Sequence, residues 1–163
     1  MTGPLVRKEQ TSSRSAAPRP LHLRPTSIAL VFVGGAVGTA ARYGLARLLP
    51  TSPGHFAWST FIVNMVGAFV LGVLLETLVL SGPDHGVRRH TRLLLGTGFC
   101  GGLTTYSTFM LDIHTMLAGA DVGTALVYVV ATITGGVLAA TAGVAMASPV
   151  RRIGRGLRRA VRR

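Results

Sequence analysis

The chain has 163 residues, 48% of them hydrophobic and only 13% charged, with a formal net charge of +12. Soluble domains carry about a quarter charged residues, and four long apolar helices could not all be buried inside a chain this small. The composition therefore excludes an ordinary soluble domain and points to an integral membrane protein. The single cysteine, Cys100, excludes an intrachain disulfide and a cysteine-based metal cluster; a small buried thiol is the plain reading. No HExxH, Walker loop or Ser-His-Asp cluster appears, so nothing argues for an enzyme.

Residues 1–26 are rich in Ser, Thr, Pro and Arg, and read as a disordered basic arm. Four apolar stretches follow, at 27–49, 58–80, 93–117 and 122–147. Each reaches the roughly 20 residues needed to cross a bilayer. The first reads as a retained helix, since no small-residue cleavage site follows a short apolar core. It carries Gly34 and Gly38 at the spacing that lets helices approach closely in lipid. A short turn with Pro50, Pro53 and Gly54 leads to Trp58, an interface anchor at the start of the second stretch. The second connection reads SGPDHG before a group of arginines. The third is tight, around 118–121. The fourth helix is expected to end before Pro149, and the domain division is 1–26 arm, 27–148 transmembrane domain and 149–163 basic tail.

Charge sets the orientation. Five cations precede the first stretch, three lie between the second and third (Arg88, Arg89, Arg92) and seven follow the fourth, whereas only Arg42 and Arg47 lie toward the other side. The positive-inside rule puts both termini and the central loop in the cytoplasm of a multi-pass protein of the inner (plasma) membrane. The basic tail suits anionic lipid headgroups rather than nucleic acid.

The third stretch contains GFCGGLTTYSTF at 98–109, which packs glycines and hydroxyl side chains into an apolar segment. Glycine costs a helix roughly 1 kcal/mol relative to alanine. A break in hydrocarbon persists only where protein or a polar cavity satisfies the freed backbone groups, and a helix interrupted at mid-membrane marks an ion site. The third helix is expected to break at the glycine run.

Asn64 lies well inside the second stretch, with Thr60 one turn earlier on the same face. A buried amide must be hydrogen-bonded, so Asn64 either bridges helices or faces water. Tyr128 and Thr132 make a similar pair on the fourth stretch, where threonine bonding to its own backbone is the plainer reading. The acids Glu76 and Asp112 lie nearer helix ends, and no central carboxylates are available for proton coupling. That argues against a small four-helix multidrug exporter. A path of amide, hydroxyls and ring edges suits a small anion, because amides and hydroxyls donate hydrogen bonds and aromatic edges are electropositive. Carbonyls freed at a break would instead attract a cation.

Three segments, GGAVGTAARY at 34–43, STFIVNMVGAFVLG at 59–72 and GFCGGLTTYSTF at 98–109, taken together resemble the CrcB/Fluc fluoride channel family over about residues 27–147. The resemblance implies an all-α membrane fold of four transmembrane helices per subunit, the third broken mid-membrane. Two subunits would pack antiparallel, with two fluoride pores at their interface and a structural sodium ion at its centre. It implies passive export: fluoride enters acidified cells as neutral HF, dissociates, and leaves through the channel. By motif position the sodium-binding main-chain carbonyls would be those of Gly101 and Thr104. The fluoride pore would be lined by Asn64, Thr60, Tyr106, Phe109, Ser107, Thr108, Tyr128 and Thr132, with Asp112 and Arg42 at a vestibule. Tyr106 stands where the family has a phenylalanine; its ring edge is kept, and its hydroxyl would donate to fluoride or obstruct the path. The one-sided charge implies insertion in one orientation, and hence pairing with an oppositely oriented homologue as the alternative to pairing with itself. A non-conducting partner subunit is the alternative function.

Overall fold

A computed structural model describes residues 24–160, with side chains described to Ser148. The arm expected before the first stretch lies, up to residue 23, outside the described residues, as do the last three residues of the tail. All regular structure among the described residues is helical: α1 (Pro25–Leu48), α2 (Trp58–Ser81), α3 (Val87–Thr91), a π-helical run (Arg92–Cys100), α4 (Gly101–Leu103), α5 (Ser107–Ala118) and α6 (Val122–Ala160). Three helices are long and apolar enough to cross a membrane: α1, α2 and the Val122–Ser148 part of α6. Large apolar side chains such as Phe32, Val37, Leu126, Ile133 and Leu138 face outward on α1 and α6, as suits an integral membrane protein.

Two sequence expectations need correction. The helix runs on past Pro149 to Ala160. Proline removes one N–H and crowds the carbonyl four residues back, but the other rungs of the ladder carry the helix through. The interruption between α4 and α5 lies at 104–106, not at the glycines. Gly98 has π-helical and Gly101 and Gly102 have α-helical geometry, and the chain turns extended at Thr104, with φ −75° and ψ 155°. Glycine's cost to a helix is small beside what these residues permit. A methyl group at Gly34 would collide with the carbonyl oxygen of Leu94, one at Gly38 with that of Phe99, and one at Gly102 with that of Gly35. The glycines are thus the seam along which α1 meets the π-helical run and α4, backbone against backbone.

A second seam joins α2 to α6. A side chain at Gly72 would strike the Ala140 carbonyl, and one at Gly143 the Phe69 carbonyl. Near the end of this seam Ser148 Oγ donates to Glu76 Oε1 at 3.3 Å. The core proper lies at the other end of the bundle, where Ala57, Phe109, Met116, Ala125 and Tyr128 are buried together. The turn before α6 is tight, with Ala120 at φ 61°. Asp121 Oδ1 accepts the Thr124 N–H at 2.9 Å and so caps α6. That bond holds the Asp121 carboxyl below its ordinary pKa.

Candidate functional site at the interrupted helix

The interruption is held from α2. Asn64 Oδ1 accepts the backbone N–H of Thr105 at 2.9 Å, and Asn64 Nδ2 donates to the Thr105 carbonyl at 3.1 Å. The amide orientation follows from its partners, since reversing it would set donor against donor and acceptor against acceptor. In an uninterrupted α-helix the Thr105 N–H would bond the carbonyl of Gly101. Asn64 takes that donor and leaves the Gly101 carbonyl without its helical partner. Thr104 closes α4 differently: its N–H and its hydroxyl both donate to Cys100 O, at 2.9 Å each.

On the far side of the interruption the hydroxyls turn inward on the next helix. Thr105 Oγ1 accepts the Thr108 N–H at 3.2 Å, as an N-terminal cap would. Its hydroxyl also donates to Thr108 Oγ1 at 3.1 Å and lies 3.3 Å from Ser107 Oγ. Arg42, from α1, donates through one terminal nitrogen to Thr108 Oγ1 at 3.5 Å, while its Nε has no partner among the described residues. Thr39, one turn before Arg42, donates to the carbonyl of Gly102 at 3.4 Å.

Two cavities flank this junction. A cavity of 230 Å³ is lined by Thr39, Arg42, Ser59, Thr60, Thr105 and Thr108, among others. A groove of 490 Å³, open along one side, is lined by Asn64, Thr104, Thr105, Tyr106, Phe109 and Thr132 with apolar neighbours. Of the residues expected to line the pore, all but Ser107 and Tyr128 line one cavity or the other, and Arg42, expected at a vestibule, lines the smaller. Asn64, Tyr106, Phe109 and Thr132 stand around the groove; Thr60, Thr108 and Arg42 stand around the smaller cavity. Tyr106 is 73% exposed, 6.2 Å from Phe109 between ring centroids. The Thr132 hydroxyl has no partner among the described residues, so it does not bond to its own backbone as its plain reading had it. Gly101 is exposed, with open space where a side chain would be.

Tyr128 is fully buried and lines neither cavity. Its ring packs 5.2 Å from Phe109 and edge-on to Phe56 at 5.0 Å. Its hydroxyl donates to Asp112 Oδ2 at 3.1 Å, so Asp112 ties α5 to α6. Ser107 is exposed at the start of α5. Among the described residues no three of His, Cys, Asp and Glu gather to hold a metal ion. Cys100 is buried, in keeping with its plain reading.

Sequence reasoning passed over Thr39 and Thr105. Thr39 carried a signal, since it shares the GGAVGTAARY segment with Arg42 and lies three residues before it on one helical face. Thr105 carried none beyond its hydroxyl, because its role comes from Asn64, 41 residues earlier.

Comparison with known proteins identifies the family. Residues 29–144 match the family model described as "CrcB-like protein, Camphor Resistance (CrcB)". The chain is 48% identical over 131 residues to a protein of Leifsonia xyli subsp. xyli named fluoride-specific ion channel FluC 2, covering 80% of this chain and 90% of that one. It is 39% identical over 132 residues to a FluC 2 of Nocardia farcinica (81% and 89%), and 45% identical over 112 residues to a FluC 1 of Mycolicibacterium paratuberculosis (69% and 83%). With all three motif segments inside the matched region, the chain belongs to the CrcB/Fluc fluoride channel family.

Proposed function

We propose that the chain is a subunit of a passive, fluoride-selective channel that exports cytoplasmic fluoride and so relieves its toxicity. The observation that carries this is the chemistry around the interruption. Asn64, Thr132, Thr108 and the Arg42 guanidinium supply hydrogen-bond donors, the Tyr106 and Phe109 rings line the groove with them, and no carboxylate lines either cavity. A small anion that must shed tightly bound water needs donors of this kind, and a cation needs the reverse. The names of the relatives support fluoride as the ion.

The groove is open on the surface of one subunit. In this reading the segment from Val87 to Ala118 makes the fourth crossing, and a second subunit packed antiparallel closes the groove, giving two pores per dimer. The Gly101 carbonyl released by the Asn64–Thr105 pairing, with that of Thr104, fits half of a structural sodium site, since hard cations take oxygen ligands. Such an ion would fasten the dimer and take no part in moving fluoride. The basic residues before α1, between α2 and the π-helical run and after α6 would face the cytoplasm and the anionic headgroups of the cell membrane. That one-sided charge favours an oppositely oriented homologue as the second subunit, because a homodimer would require half the copies to translocate both basic tails.

The test is fluoride efflux from liposomes containing this chain, alone and with an oppositely inserted homologue, with chloride as the comparison ion. Fluoride efflux well above chloride efflux is expected. Absence of efflux in both preparations would refute the channel reading. Efflux that the homologue alone accounts for would instead support a non-conducting partner subunit. That second reading is favoured by one feature, the exposed Tyr106 hydroxyl on the groove wall. Topology reporters at the C terminus are expected to show a single orientation.

A further inference from the structure

Thr105 is the one residue that lines both cavities. Every hydrogen-bonding group it owns is committed. Its N–H and carbonyl are taken by Asn64 at 2.9 and 3.1 Å. Its Oγ1 accepts the Thr108 N–H at 3.2 Å and donates to Thr108 Oγ1 at 3.1 Å. A residue that merely formed a wall would need none of these. Two consequences follow from the donor inventory. Asn64 has two N–H donors; Thr105 takes one, and the second has no partner among the described residues while Asn64 lines the groove. Thr108 Oγ1 accepts from Arg42 and from Thr105 together, so its own hydroxyl proton remains for the smaller cavity.

We propose that Thr105 is a positioning residue, the partition between two consecutive anion chambers, which holds one donor toward each: Asn64 N–H toward the groove and Thr108 O–H toward the Arg42 cavity. It acts through those two neighbours. Its peptide sets the Asn64 amide, and its hydroxyl fixes both the first turn of α5 and the rotation of the Thr108 side chain. A small anion passing from one chamber to the other meets a fixed donor on each side of Thr105. The inference rests on the channel reading above.

The experiment compares Thr105→Val, which keeps the shape and removes the hydroxyl, with Thr105→Ser, which keeps the hydroxyl. Both are measured in the full chain in liposomes, with the oppositely inserted homologue present. Fluoride efflux is expected to fall about tenfold in the valine variant, the scale of one lost hydrogen bond, with the fluoride-to-chloride ratio narrowed. The serine variant is expected to stay within about twofold of wild type, since it retains that bond. Amide hydrogen exchange at Thr108 is expected to quicken in the valine variant and not in the serine variant. Should the valine variant fail to elute as a folded species, Thr105→Cys, a weak donor of similar size, is expected to show the same narrowing of selectivity. Wild-type efflux and selectivity in the hydroxyl-free variant would overturn the partition while leaving the channel reading intact. No fluoride efflux from wild type would overturn both.

Discussion

The two halves of the segment from Val87 to Ala118 are held in opposite ways. Before Thr104, the π-helical run and α4 meet α1 through glycines on both sides, Gly34, Gly35 and Gly38 against Gly98 and Gly102. At Gly34, Gly38, Gly98 and Gly102 nothing but backbone fits, so position is set by the absence of side chains. After Tyr106, α5 leans on its neighbours through rings and tips: Phe109 on Tyr128, Tyr128 on Phe56, and the Tyr128 hydroxyl on Asp112. Position there is set by what side chains reach. The polar cavities lie where the two regimes meet, because only there does the backbone leave the helix and need partners from α1 and α2.

The largest expected effect breaks the first half. Gly38→Leu puts a whole side chain onto the Phe99 carbonyl, and loss of folded, monodisperse protein in detergent is the expected result. Gly44→Ala on the same helix meets open space and is expected to leave the thermal midpoint unchanged or slightly raised. Equal behaviour of the two variants would dissolve the distinction. Next comes the second half, where Phe109→Ala removes a buried ring at about 3–5 kcal/mol, and Phe109→Leu should cost less. Chemical denaturation reads the stability, and efflux is expected to fall in the alanine variant. At the junction itself, Asn64→Ala leaves the Thr105 N–H and carbonyl unpaired, a loss of roughly 1–3 kcal/mol. Fluoride efflux is expected to drop more than stability does, and unchanged efflux would move the path elsewhere.

The smallest effect lies outside the spans. The capping bond from the Thr124 N–H keeps the Asp121 carboxyl below the ordinary carboxylate range. A carboxyl with a depressed folded value contributes its stability above the unfolded value and loses it as pH falls through the folded one. Thermal midpoints should therefore be flat from neutral pH down to about 4 in this respect, and decline below it. Asp121→Asn, which still caps, should flatten that decline.

Much of this was readable from residue order. Apolar stretches at 27–49, 58–80 and 122–147 match α1, α2 and the membrane part of α6 to within a few residues, because helix length against bilayer thickness is a local property. Gly34 and Gly38 were legible as a contact surface for the same reason, and the tight turn at 118–121 from its brevity. The segment that holds the interruption, 98–109, was legible; its place within that segment was not. Glycine's helix cost pointed to the glycine run, yet the backbone leaves the helix at Thr104, because close packing on α1 holds those glycines in helical geometry. The end of α6 was misjudged because proline's local penalty was weighed without the rungs around it.

By itself the sequence determined that this is a membrane protein with apolar spans, and which three segments mark its family. These depend on composition and spacing along one chain. Only the tertiary structure decided that Asn64 spends its amide on Thr105, that the expected pore residues other than Ser107 and Tyr128 lie around one or other of two cavities with Thr60 and Thr108 apart from Asn64, that Tyr128 packs in the core and bonds Asp112, and that Thr105 lines both cavities. Each of these is a pairing across tens of residues, and a hydrogen bond needs its partner's position in space as well as its type.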